Sequence, residues 1–99
     1  MEKDIRGFLD SDGRLTALPA KRRKLLAALS WLADRIPEDR AYTEKEFNDL
    51  LYTLHTFGDP ATLRRELYDH WLIDREADGT RYRKNPSRPS ENELYEKYL

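Results

Sequence analysis

Two helix starts separated by a glycine break constrain the fold of this chain more than any other feature of its sequence. In YTEKEFNDLLYTLH, Thr43 and Glu46 have the spacing of a capping box. The segment TFGD then interrupts the helix, and in GDPATLRREL Asp59 is the predicted N-cap with Pro60 in the first turn. Two short helices joined by a tight turn are therefore predicted.

Apolar residues recur at helical spacing in these two segments and in a third segment before them. The first helix is predicted from about Ala20 to Ile36, where Pro37 stops it, with its stripe at Leu25, Ala28, Leu29, Leu32 and Ile36. Tyr42 is placed to staple onto Phe47 in the second helix, whose stripe is Phe47, Leu50, Leu51 and Leu54. The third stripe is Leu63, Leu67 and Trp71, which leaves Ala61, Thr62, Arg65, Tyr68 and Asp69 on the opposite side.

Short extended segments flank the helices. A turn at Asp10 to Gly13 joins two extended pieces near the start, and Asp78 with Gly79 predicts a two-residue turn in a hairpin from Leu72 to Lys84. Helix, helix, tight turn, helix and hairpin is the order of a winged helix-turn-helix domain. We therefore predict a mainly α, α+β winged-helix-like domain over residues 1–84, with 85–99 forming a linker and a short C-terminal helix that Ser90 and Glu93 cap.

Composition limits the classes of function. The 99 residues suit one domain, and 37 % of them are charged, well above the ~25 % usual for soluble domains. Absence of cysteine excludes disulfides and thiolate metal sites, and no apolar run is long enough for a membrane span or a secretion signal, so a cytoplasmic location is expected. The formal net charge of −1 is unlike that of a protein that coats nucleic acid non-specifically.

The sequence holds no recognisable catalytic motif. A cysteine nucleophile, a G-x-S-x-G elbow, a P-loop and a G-x-G-x-x-G motif are all missing, and the glycines fall at turns. His55 and His70 lie at the edges of apolar stripes without a carboxylate cluster, so packing is favoured over metal binding. No enzyme activity, cofactor or metal is expected.

Arginines on the third helix and the hairpin are the candidate DNA contacts. Arg64 and Arg65 suit phosphate or a guanine edge, although both are also compatible with a solvated helix face on which Arg65 pairs with Asp69. The basic side chains of the hairpin resemble a wing that lies along a DNA backbone. The alternative is that they are exposed strand charges that block edge pairing. The full set of candidates is Thr62, Arg64, Arg65, Arg81, Arg83, Lys84, Lys21, Arg22 and Arg23.

The run KRRK, Lys21 to Lys24, is unusual because four cations at the start of a helix oppose its dipole. An anion is therefore expected nearby. Pairing with Asp10, Asp12 or acids of the middle segment is favoured over a phosphate group of a nucleic acid or ligand.

Several aromatic residues lie off the centres of the apolar stripes. Trp31, Tyr52 and Tyr68 are predicted to project away from the core, and the C-terminal helix has an apolar side. Together they predict a protein interface, of which a homodimer is the simplest form, with candidate residues Trp31, Tyr68, Leu94, Tyr95 and Tyr98.

The strings FLDSDGRLTALPAKRRKLL, YTEKEFNDLL and DPATLRRELYDHWLIDRE, in this order, resemble the domain of unknown function 2087 family of bacteria. The resemblance covers about Ile5 to Arg83, and the tail after Lys84 departs from it. It implies a small winged-helix-like domain that also occurs at the C-terminus of predicted transcription regulators, and it carries over no catalytic or ligand residue. Double-stranded DNA is the leading partner, and the alternative is a module of the same fold that binds itself or another regulator; no membrane partner is expected.

Overall fold

Each capping signal of the sequence begins a helix in the computed structural model, which describes residues 5–99. The Thr43 hydroxyl accepts from the Glu46 amide at 3.2 Å, and a Glu46 carboxylate oxygen accepts from the Thr43 amide at 2.9 Å. Asp59 caps the next helix, and Ser90 with Glu93 forms a second complete capping box. Orphan amides at all three helix starts are thus satisfied locally, as the sequence predicts.

Residues 5–99 form four α-helices and a small antiparallel sheet in one α+β domain. The helices are α1 (Arg22–Asp34), α2 (Glu44–Tyr52), α3 (Pro60–Asp69) and α4 (Glu91–Tyr98), and the strands are β1 (Ala41–Tyr42), β2 (Ile73–Arg75) and β3 (Tyr82–Lys84). The sheet order is β1-β3-β2, with Ala41 opposite Arg83 and Asp74 opposite Arg83. Strand β1 was not predicted, because two residues carry no alternating pattern. Among residues 5–99, no helix is long and apolar enough to cross a membrane.

Helix α1 is the centre of the core. Residues 26–33 are all buried, because α3 packs on one side of α1 and α4 on another. The prediction that Trp31 projects away from the core is therefore wrong: its side chain is 1 % exposed. A helix enclosed on several sides has no free face opposite its stripe. The predicted core residues Leu29, Leu51 and Leu67 are fully buried.

Helix α3 ends earlier than its apolar stripe suggests. The Leu72 amide donates to the Leu67 carbonyl at 2.9 Å and the Trp71 amide to the Tyr68 carbonyl at 3.1 Å, which is a Schellman motif. Trp71 occupies the left-handed position of this motif, with φ of 65°, where glycine is usual. The prediction that Trp71 is part of the core is wrong, because this conformation leaves the indole 58 % exposed while Leu72 is buried instead.

The hairpin turn is longer than predicted. The Glu76 amide donates to the Arg81 carbonyl at 3.0 Å, so four residues, 77–80, form the loop in place of two. The Asp78 carboxylate accepts from the Thr80 amide at 3.0 Å and from its hydroxyl at 2.7 Å. Since the Thr80 amide is used locally, it is not available to pair across the hairpin, and a two-residue turn cannot close.

His55 holds the turn between α2 and α3. Its Nδ1 lies 2.6 Å from the Leu51 carbonyl, and its Nε2 accepts from the Asp59 amide at 3.0 Å. Because an amide only donates, Nε2 is the unprotonated nitrogen and Nδ1 carries the proton. The ring is 2 % exposed, which confirms the packing position predicted for His55. It joins the last turn of one helix to the cap of the next.

Candidate nucleic-acid interface

The outward face of α3 presents one arginine without a partner on the same helix. Arg65, Tyr68 and Asp69 are exposed there, and Tyr68 is 43 % exposed. Within residues 5–99, no ion pair joins Arg65 to Asp69 within 4 Å. The Arg65 guanidinium is therefore available to an incoming ligand, although the Asp69 carboxylate on the same face repels anions.

Two other α3 candidates are used by the fold. The Arg64 side chain is 18 % exposed and donates to the Tyr82 hydroxyl at 3.1 Å and to a Glu44 carboxylate oxygen at 3.4 Å. It therefore ties α3 to β3 and to the start of α2. The Thr62 hydroxyl donates to the Asp59 carboxylate at 2.7 Å, which helps to hold the pKa of that carboxyl below its ordinary value. Both side chains are therefore engaged within the chain.

The hairpin separates its three basic candidates. Arg81 and Arg83 are exposed, and the Arg83 Nε lies 3.8 Å from an Asp74 carboxylate oxygen on the neighbouring strand. Lys84 is different, because strand alternation turns it toward the core with Tyr82. Only 5 % of the Lys84 side chain is exposed, and its Nζ donates to the Ile36 carbonyl at 3.1 Å. The prediction of three adjacent surface cations on a wing is wrong for Lys84.

A groove of about 850 Å³ runs between the end of α3 and the hairpin. Arginines and aromatic rings line it, and the Arg75 guanidinium lies 4.9 Å from the centre of the Tyr68 ring. Arg75 is not among the contacts predicted from the sequence, although it belongs to the predicted hairpin and lies at the end of β2. Acids interleave with these bases, so the groove has mixed charge; its charged lining residues are Asp69, Asp74, Arg75, Glu76, Arg81 and Arg83.

The Lys21–Lys24 run lies apart from this groove. It begins α1, whereas β3 meets the other end of that helix through Lys84 and Ile36. Because α1 has 13 residues, the two ends are about 20 Å apart. Expected pairing with described acids is also absent: within residues 5–99 no carboxylate lies within 4 Å of these four cations, and Asp10 pairs with Arg14 instead, at 3.7 Å.

The predicted apolar side of the C-terminal helix packs within the chain. Leu94 is fully buried, the Arg23 guanidinium lies 4.6 Å from the centre of the Tyr95 ring, and the Tyr98 ring lies 4.7 Å from the His70 ring. These residues therefore complete the chain's own core. The large aromatic side chains that remain exposed among residues 5–99 are Tyr52, Tyr68 and Trp71, of which the last two border the groove.

A family model described as an uncharacterized protein conserved in bacteria, DUF2087, matches residues 14–84. The chain belongs to the DUF2087 family. Matching begins after the first turn and ends with β3, so it includes α1, α2, α3 and the sheet but not α4. No curated protein and no solved structure matches the chain. The tail after Lys84, which contains α4, therefore lies outside the family match.

Proposed function

We propose that this member of the DUF2087 family is a non-enzymatic regulatory protein that binds double-stranded DNA through α3 and the β2–β3 hairpin. The element order α1-β1-α2-α3-β2-β3 supports the proposal, because it is the order of winged helix-turn-helix domains. In that architecture the helix after the turn enters the major groove and the hairpin lies along the backbone.

The observation that carries the proposal is the exposure of Arg65 on α3 together with Arg81 and Arg83 on the hairpin. A guanidinium fork fits both the guanine edge and phosphate oxygens. Arg65 comes from the helix that would read bases, and the other two arginines come from strands that would hold the backbone. The three cations are therefore on the elements that DNA recognition needs.

Single substitutions test this division of tasks. Arg65→Ala is expected to weaken DNA binding and to relax base preference by roughly 1 to 3 kcal/mol, because a base contact is lost. Arg83→Ala is expected to weaken binding to all sequences alike. Binding of short duplexes can be followed by fluorescence anisotropy, with Arg22→Ala as a control for loss of charge at a distant exposed site. Equal effects of Arg22→Ala and Arg65→Ala would refute the proposal.

A specific observation favours a second function, binding of a protein partner by the same groove. Trp71 is strained and largely exposed, and bulky residues persist in the left-handed region only where other constraints demand them. Tryptophan, tyrosine and arginine are the residue types that anchor protein interfaces, and the acids of the groove would repel phosphate. The partner would be another regulator or a second copy.

Trp71→Gly tests whether the Trp71 side chain serves binding of a protein partner or the stability of the fold. Glycine suits the left-handed conformation, so the variant is expected to gain about 1 kcal/mol of stability in denaturant unfolding. Loss of self-association or of partner binding with that gain would favour the protein-binding function. If Trp71→Gly is instead less stable than the parent chain, the indole is held for stability and the second function loses its support.

A further inference from the structure

A second cleft, of about 420 Å³, lies at the base of the hairpin, between the turn that follows α1 and the end of β3. Four cations and two acids line it: Arg40, Arg83, Lys84, Arg88, Glu38 and Asp39. The charged lining thus has a formal charge of +2, in a chain whose formal net charge is −1. Positive charge is concentrated here although the whole chain is almost neutral.

Lys84 forms the floor of the cleft, and its ammonium group has hydrogen-bonding capacity that no residue among 5–99 uses. Its ammonium group has three donors, of which one is used by the Ile36 carbonyl at 3.1 Å. The Glu38 carboxylate oxygen is 3.9 Å away, which is beyond hydrogen-bonding distance. Burial, with a further contribution from the neighbouring Arg88 cation, lowers the pKa of Lys84. The fold therefore keeps a cation where its charge is costly.

Two guanidinium groups stand at the rim. Arg88 lies 3.3 Å from the Glu38 carboxylate, and its side chain is 27 % exposed. Arg40 is exposed and lies 4.6 Å from the centre of the Tyr42 ring; no ion pair of Arg40 within 4 Å occurs in the described part of the chain. The Tyr42 ring orients the planar Arg40 guanidinium, and the Glu46 carboxylate, whose pKa is lowered by a backbone hydrogen bond and also by Arg40, makes no ion pair with it within 4 Å. The hydrogen-bonding fork of Arg40 is therefore open to a ligand.

The turn that brings these groups together is itself strained. Asp39 has a φ of 58°, a left-handed conformation that non-glycine residues adopt uncommonly, although Asp is among those that tolerate it. This residue stands between Glu38 and Arg40, so its conformation helps to set how these two residues line the cleft. Strained backbone of this kind clusters at ligand sites.

We propose that this cleft binds a phosphate group, with Lys84 at its floor and Arg40 and Arg88 at its rim. The ligand takes up the free donors of Lys84 and the open fork of Arg40, and it competes with exposed Glu38 for Arg88. The phosphate can belong to a DNA backbone or to a free phosphorylated small molecule. The site rests on the geometry of the cleft and does not depend on base recognition by α3.

Titration of the full-length chain with pyrophosphate, followed by two-dimensional NMR at constant ionic strength, tests the site. Saturable shifts are expected for the backbone amides of residues 38–40 and 83–88. Arg40→Gln and Arg88→Gln should each weaken binding roughly tenfold, the value of one charge-assisted contact. Lys84→Met should abolish it. Arg22→Gln, which removes an exposed arginine at the other end of α1, should leave binding unchanged.

Two results would overturn the proposal: shifts that do not saturate, or equal weakening by Arg22→Gln and Arg40→Gln, which would show non-specific attraction. Arg40 is exposed at the rim, so its variant keeps the test valid even if Lys84→Met does not fold.

Duplex DNA distinguishes the two sources of the phosphate. If Arg40→Gln with Arg88→Gln weakens DNA binding and reduces its salt dependence, the natural ligand is the backbone. If DNA binding is unchanged while pyrophosphate binding is lost, the ligand is a free phosphorylated molecule. A parent chain that binds pyrophosphate but no DNA would contradict the proposed function and leave the cleft intact as a phosphate site.

Discussion

The two ends of α1 each lie beside a cluster of four cations, and the two clusters differ in how the chain assembles them. At the start of the helix, Lys21 to Lys24 are consecutive, exposed and unpaired with carboxylates among residues 5–99. At its end, four cations from three separate segments surround a cleft, and one of them, Lys84, is buried. The consecutive run is an exposed surface on which Arg23 packs against Tyr95, whereas the scattered set surrounds a cleft that a ligand can enter.

Helix polarity explains why only one of these clusters costs the helix stability. A helix start carries partial positive charge, so cations there are repelled, whereas carbonyl groups at a helix end attract them. Lys84 lies near the favourable end, where its Nζ donates to the Ile36 carbonyl, two residues beyond the last residue of α1. Lys21 stands at the N-cap of α1 without a side-chain cap hydrogen bond. Local sequence alone does not reveal which cluster the fold makes useful.

The largest expected effect comes from uncovering the start of α1. Leu94 of α4 is fully buried, and it precedes Tyr95, on which Arg23 packs. Leu94→Ala is expected to cost about 2 to 5 kcal/mol in denaturant unfolding, because it leaves a cavity beside α1. Glu96→Ala, at an exposed position of the same helix, should have little effect. A loss below about 1 kcal/mol for Leu94→Ala would mean that α4 is not part of the core.

A smaller effect of opposite sign is expected at Lys21. An aspartate at this position supplies both a side-chain cap and a charge that suits the helix start, so Lys21→Asp should stabilise the chain by about 1 kcal/mol. Lys21→Ala separates the two contributions, because it removes the charge without adding a cap. If Lys21→Asp destabilises the chain, the cations there have a structural partner and the contrast between the two ends is wrong.

The smallest effect is expected at Lys84. Its replacement by methionine removes a buried charge and leaves Glu38 paired with Arg88, but it also takes the donor away from the Ile36 carbonyl. Because these two effects oppose each other, Lys84→Met should change the free energy of unfolding by no more than about 1 kcal/mol in either direction. A loss of 2 kcal/mol or more in thermal or denaturant unfolding would show that Lys84 serves the fold and not a ligand.

The pH dependence of the same pair of proteins gives a second measurement. Burial lowers the pKa of Lys84 below its ordinary value of 10.5, so the unfolded chain holds this proton more tightly than the folded chain does. Native Lys84 should therefore gain stability relative to Lys84→Met as the pH rises from the lowered pKa to about 10.5. Urea unfolding of both proteins at several alkaline pH values checks the sign, and a difference that moves the other way would contradict it.

Local signals in the sequence predict most of the fold. Thr43, Asp59 and Ser90 begin helices as predicted, because a cap needs only neighbours within one turn. Errors arise where distant contacts decide, as at Trp31, and where a helix end adopts a conformation that its residue types do not indicate, as at Trp71. Trp31 is enclosed because α4 folds back onto α1, and Trp71 is exposed because α3 closes with a Schellman motif that normally contains glycine.

The candidate sites are less predictable than the fold. Arg65, Arg81 and Arg83 are exposed as their positions suggest, but Arg64 is held by Glu44 and Tyr82, which no spacing within α3 reveals. The phosphate cleft combines side chains from the turn after α1, from β3 and from the segment after it. Such a set exists only once β3 is paired between β1 and β2, so it cannot be read from any one segment.

The central claim is that DNA is held by the hairpin side of the molecule and not by the Lys21–Lys24 run. The most direct test is the salt dependence of duplex DNA binding by the parent chain, by Arg81→Gln/Arg83→Gln and by Lys21→Gln/Arg22→Gln. We predict a slope of log K against log salt of roughly −3 for the parent chain, smaller in magnitude by about two for the hairpin variant and unchanged for the α1 variant. A reduced slope in the α1 variant with an unchanged hairpin variant, or no binding by the parent chain at low salt, would contradict the claim.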